Sequence, residues 1–143
     1  MTQPPNTEHR TRQRVIYAAL ATLTIAIGLW VHRGITVMDA DIRDVLGDAL
    51  WAVMMMWWVS AVIPTARVTT RSGVALGICF AVEASQLLHT AEFDALRRTI
   101  PGRLVLGSGF DPRDLVAYAL GVAVAVVLER VVVRRLLFPT ASE

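Results

Sequence analysis

Apolar positions gather into four long runs, Val15 to Val31, Val45 to Ile63, Gly73 to Leu88 and Leu115 to Val133, separated by shorter polar stretches. Each is close to the about 17 to 25 residues that a helix needs to cross a bilayer. The pattern predicts an all-α polytopic membrane protein: a bundle of four transmembrane helices with an outer interfacial segment between helices three and four. Residues 1–14 read as a disordered tail, 15–135 as the transmembrane domain and 136–143 as a second short tail. Pro64 stops the second helix, and Pro101 with Gly102 breaks the third connection.

The third run carries two patterns. Gly73, Gly77, Ala81 and Ser85 recur every four residues as a small-residue ridge, which lets a neighbouring helix approach closely. Cys79, Glu83, Gln86 and Thr90 form a polar stripe on the opposite side. A helix with both faces committed is expected at the centre of the bundle, with Glu83 turned away from lipid. A carboxylate inside such a run is costly unless it is paired, protonated or in contact with water, so it marks a functional position by default.

The third connection, TAEFDALRRTIPGRLVLGSGFDPRD, opens with a stretch suited to a short interfacial helix with Phe93, Leu96 and Ile100 inward. The fourth helix opens on a near capping box: Asp111 as N-cap, Pro112 at the first helical position and Asp114 at the third. Asp111, Asp114, Tyr118 and Gly121 then follow one face. Consecutive helices run in opposite directions, so Glu83 is expected at the depth of Tyr118 or Gly121, and Gln86 near that of Asp114. Asp48, with Trp51, lies at the same end of helix two.

Composition supports the membrane class. Apolar residues make up 55% of the 143, and the mean hydropathy is +0.51. The first run follows Arg10, Arg12 and Arg14, but the bulky, charged GLWVHRG offers no signal-peptidase site, and a retained anchor is expected. The lone Cys79 excludes an internal disulfide and reads as a buried packing residue. The Met and Trp of WAVMMMWWVSAVIP read as packing and lipid contact.

All basic residues are Arg, and their placement follows membrane side rather than a nucleic-acid surface. Arg10, Arg12, Arg14, Arg67, Arg71, Arg130, Arg134 and Arg135 flank the runs at one end of the bundle. Arg33, Arg43, Arg97, Arg98, Arg103 and Arg113 are spread through the longer connections at the other, with most of the acids. The positive-inside rule then places both termini in the cytoplasm of a bacterium and the acidic end outside the inner membrane.

EASQ at Glu83 to Gln86, GRLVLGSGFD at Gly102 to Asp111 and DLVAYALG at Asp114 to Gly121 together resemble the bacterial membrane family called domain of unknown function 2809. Some of its members carry the label ribosomal maturation YjgA-like, which finds no support in these residues. More distantly the chain is similar to VanZ-like proteins, whose pattern is Glu-x-x-Gln, an Arg, then Asp-x-x-x-Asn-x-x-Gly. The resemblance implies corresponding roles for Glu83, Gln86, Arg103, Asp114 and Gly121, while Tyr118 stands in the Asn position. VanZ-like proteins are associated with low-level resistance to glycopeptide antibiotics; the first family implies no established chemistry.

The candidate ligand-binding set is therefore Glu83, Gln86, Arg103, Asp111, Asp114, Tyr118 and Asp48, with no resident metal or cofactor. Carboxylates suit sugar hydroxyls and guanidinium forks suit phosphate, so the expected partner is a membrane lipid or a lipid-linked sugar at the outer leaflet. An accessory subunit of a larger membrane complex is an alternative, as is a divalent-metal-dependent enzyme acting on lipid. Catalysis stays open: no nucleophile is paired with a base, and His9, His32 and His89 make no metal-ligand spacing.

Overall fold

A computed structural model describes residues 7–34, 39–88, 90–99, 102 and 109–133. Among these residues the chain is all-α, with no strand. The helices are α1 (Thr7–Gly34), α2 (Ala40–Val62), α3 (Val68–Ser85), α4 (Ala91–Arg97) and α5 (Pro112–Leu128), the last continued by a π-helical turn at Glu129–Val133. Two helical spans, Thr7–His32 and Ala40–Val62, are long and apolar enough to cross a membrane.

Local chemistry sets the helix ends. The Asp39 carboxylate accepts from the Asp41 N–H at 2.9 Å and caps α2, which ends ahead of Pro64. Thr90 caps α4 by accepting from the Phe93 N–H, although at 3.4 Å the bond is long. The Glu92 carboxyl in that first turn accepts from its own backbone N–H and from the Thr90 hydroxyl, which holds it below the usual carboxylate range. Hydroxyls inside the long helices bond back one turn, Thr24 to Leu20 O, Ser60 to Met56 O and Ser72 to Val68 O, so they carry no unmet need into the apolar interior.

The central helix is α2, not the third helix as the two-faced pattern predicts. It packs against α1, α3 and α5, and α3 also packs against α5. The core joins Tyr17 and Ala21 of α1, Ala52, Met56 and Trp57 of α2, Ala75 and Cys79 of α3, and Tyr118, Val122 and Ala125 of α5. Cys79 is a buried packing residue there, and the Met and Trp run divides between buried Met56 and Trp57 and exposed Trp58. Gly121 explains how α5 comes so close to α2: a Cβ at this position would lie 2.2 Å from the Ala49 carbonyl oxygen.

Three further expectations change. The small-residue ridge is uncovered among the described residues, because Gly73, Gly77 and Ala81 face outward and none of those residues has an atom within 4 Å of a Cβ built on either glycine. What α3 buries is the polar side: Arg71, Ala75, Cys79 and Glu83. Residues 7–14, expected in a disordered tail, form the first turns of α1, since nothing in EHRTRQR breaks a helix. A short helix, α4, does form in the third connection, with Phe93 half-buried but Leu96 exposed; Ile100 lies outside the described residues.

Candidate functional site

Glu83 has 0% exposure, and its two carboxylate oxygens answer three donors. Oε2 accepts from the Gln86 amide at 2.9 Å and from the Tyr118 hydroxyl at 3.1 Å, and Oε1 accepts from the backbone N–H of Asp111 at 2.8 Å. A carboxylate is an acceptor-only group, and three donors replace most of the hydration it loses on burial. The intrusion of charge into an apolar run is thereby resolved: Glu83 ties α3 to both the cap and the second turn of α5.

Asp111 acts as the N-cap, its carboxylate accepting from the Arg113 N–H at 2.9 Å. In a capping box the residue at the third helical position reaches back to the cap's own N–H. Here Glu83 takes that N–H from across the helix interface, so Asp114 is released from the capping role. Asp114 instead faces Asp48 of α2, the two carboxyl groups within hydrogen-bonding reach, and both feel the charge of Glu83 and Asp44. Asp48 and Asp114 are each half-buried.

The structure thus gathers Glu83, Gln86, Tyr118, Asp114, Asp48 and the backbone of Asp111 at one end of the bundle, which we call the acidic end. The Asp111 carboxylate is occupied in the cap. Arg103 lies outside the described residues. One loose end remains in this group: the carbonyl oxygen Oε1 of Gln86 is buried and has no hydrogen-bond partner among the described residues.

A second polar cluster, not anticipated from the sequence, sits at the opposite end. Arg71 of α3 forms a buried ion pair with Glu129, where α5 passes into its π-helical turn. The guanidinium also donates to the Ser60 hydroxyl at 2.9 Å and to the Ala66 carbonyl at 3.1 Å. It lies 5.4 Å from the centre of the Tyr17 ring, which in turn stacks on Trp57 at 6.1 Å. Every long helix contributes a residue to this arginine end.

A signal for it was present. Arg71 lies twelve residues before Glu83 and Glu129 eleven after Tyr118, so the antiparallel register that joins Glu83 to Tyr118 also brings the other two level. The separation between the clusters is about 16–18 Å at a rise of about 1.5 Å per residue.

No solved structure matches the chain. The stretch that carries α2, α3, α4 and the part of α5 holding Asp114, Tyr118 and Gly121 corresponds to a family whose description is protein of unknown function (DUF2809), matched over residues 37–122, and the chain belongs to that family.

Proposed function

We propose that this is a small multi-pass protein of the bacterial inner membrane, with four helices in the bilayer, that holds the headgroup of a lipid or a lipid-linked envelope component at its acidic end. The observation that carries the reading is the division of labour among the acids. Glu83 is consumed in joining α3 to α5, whereas Asp48 and Asp114 face each other with no ion pair among the described residues. A carboxyl pair left over at the end of a helix bundle is available to a ligand; a saturated one is not.

Support for four spans comes from an inside-out distribution. Val74, Ile78 and Phe80 on α3, and Val116, Leu120, Val124 and Val127 on α5, are exposed, while Arg71, Glu83, Gln86 and Glu129 are buried. In water that arrangement wastes apolar surface; in hydrocarbon it is what a bundle must do. The arginine-flanked end then belongs in the cytoplasm with both termini, and the acidic end faces out.

The reading is tested by native mass spectrometry of the detergent-extracted protein. Co-purifying lipid should be retained by the wild type and lost from Asp48→Asn and Asp114→Asn proteins that remain folded by circular dichroism. Indifference of all bound lipid to both substitutions would remove it.

A second reading, an accessory subunit of a larger membrane complex, is favoured by one observation, the uncovered ridge of Gly73, Gly77 and Ala81. Stable co-purification of another membrane subunit, abolished by Gly77→Leu but not by Asp114→Asn, would favour it over headgroup binding.

A further inference from the structure

Gly28 stands where α1 should present a core side chain. Tyr17, Ala21, Thr24 and Val31 are all buried on one face of that helix, and Gly28 falls in the same stripe, four residues after Thr24 and three before Val31. α1 packs on α2, where Gly47 borders the same contact. A glycine between helices serves close approach when it is used as Gly121 is against Ala49. Gly28 and Gly47 are not: no atom of the described residues lies within 4 Å of a Cβ built on either. Both weaken their helices without gaining a contact.

What they leave is a cavity of about 340 Å³ between α1 and α2. One wall runs from Thr24 to His32 and the other from Gly47 to Met54, so it extends about 10–12 Å along the helix axes. Spread over that length, the volume is about 30 Å² in section, room for a single chain of methylene groups. Ile25, Leu29, Leu50 and Met54 make the lining mainly apolar. Of its polar groups, the Thr24 hydroxyl already donates to Leu20 O at 2.8 Å and His32 stands at the acidic end. A file of waters needs about two to four polar partners each and would lack them here. An apolar cavity of about 150 Å³ holds a benzene ring, which sets the capacity of this one at about twelve to fourteen carbons.

Ile25 and Leu29 are also 39% and 41% exposed, so the cavity opens on the side of the bundle. Its two walls belong to the helices that are long and apolar enough to cross a membrane, and the medium beside the opening is then hydrocarbon. We infer that the cavity between α1 and α2 is a binding site for one acyl chain of a membrane lipid, lying along the helices from His32 inward to Thr24 with Trp51 beside it. The inference goes beyond headgroup binding. It rests on the part of the proposed function that sets α1 and α2 in the bilayer, and not on the carboxyl pair.

The test uses the purified full chain in vesicles of phosphatidylcholine brominated midway along one acyl chain, since bromine quenches tryptophan fluorescence only at short range. Half-buried Trp51 lines the cavity and exposed Trp58 of α2 does not, so subtracting Trp51→Phe or Trp58→Phe from the wild type isolates each signal. Trp51 should be quenched in the wild type, and the quenching should be at least halved when Gly28→Leu or Gly47→Leu fills the cavity. Quenching of Trp58 should stay the same in both. Each leucine variant should melt in detergent no lower than the wild type, because its side chain enters open space; where a leucine variant fails to fold, Gly28→Val and Gly47→Val are read in the same way. Trp51 quenching that the filling substitutions leave unchanged overturns the acyl-chain site. So does an unquenched Trp51 beside a quenched Trp58, and α2 then still lies in hydrocarbon as the proposed function requires. Absence of quenching at both tryptophans overturns the site and the bilayer placement of α2 together.

Discussion

The backbone N–H of Asp111 donates to Glu83 Oε1 at 2.8 Å, so the cap of α5 is completed by a carboxylate from α3 rather than by its own helix. Helix formation and helix packing are thus the same bond. Glu83→Gln places an NH₂ group among three donors and should lower stability by about 2–3 kcal/mol, the cost of losing hydrogen bonds to a charged group and leaving buried donors unmet. Thermal melts in detergent, followed by circular dichroism, would measure it. Asp114→Asn, which touches none of these bonds, should melt within a few degrees of the wild type. Equal melting of Glu83→Gln and wild type would show that the three donors do not hold the bundle.

The ion pair of Arg71 and Glu129 invites a double-mutant cycle. Removing one partner strands a buried charge, so Arg71→Met and Glu129→Leu should each cost about 3–5 kcal/mol. The combined variant, which strands neither charge, should cost much less than the sum of the two, leaving only the loss of the Ser60 and Ala66 bonds and of contact with Tyr17. Additive losses in denaturant unfolding would mean that the pair is not coupled.

The polar site was legible where helical period and antiparallel register decide contacts. Glu83, Gln86 and Tyr118 are joined as their depths require, and Asp111 caps α5 as its place before Pro112 predicts. Three-dimensional neighbourhood was less legible. Small residues at Gly73 and Gly77 permit close packing but do not compel it, and the close approach is made instead at Gly121 against Ala49. The bond from Asp111 to Glu83 was hidden because a backbone N–H leaves no trace in residue type. Arg71 and Glu129 were passed over because an arginine near a helix end serves equally as a topology marker, and only the register extended from Glu83 separates the two roles.

Glycine substitutions distinguish the packed from the uncovered face. At Gly121 an added methyl would meet Ala49 O at 2.2 Å and the Ala52 Cβ at 3.0 Å, both on the central helix, so α5 would have to move away. Gly121→Ala should destabilise by about 1–3 kcal/mol despite the better helix propensity of alanine. Gly77→Ala, with no atom of the described residues within 4 Å, should be neutral or slightly stabilising. Paired melting curves check the contrast, and a tolerated Gly121→Ala would argue against a tight α2–α5 crossing.

The orientation proposed for the bundle is open to thiol labelling. Cys79 is buried and is first replaced by Ser so that it contributes no background. A cysteine at the exposed Ala95 of α4 reports on the acidic end, and one at the exposed Thr65, between α2 and α3, reports on the arginine end. With the arginines in the cytoplasm, a membrane-impermeant maleimide should label Ala95→Cys in spheroplasts and should reach Thr65→Cys only after permeabilisation. The opposite pattern would place the carboxyl pair of Asp48 and Asp114 on the cytoplasmic side, where an envelope component carried on the outer leaflet cannot reach it.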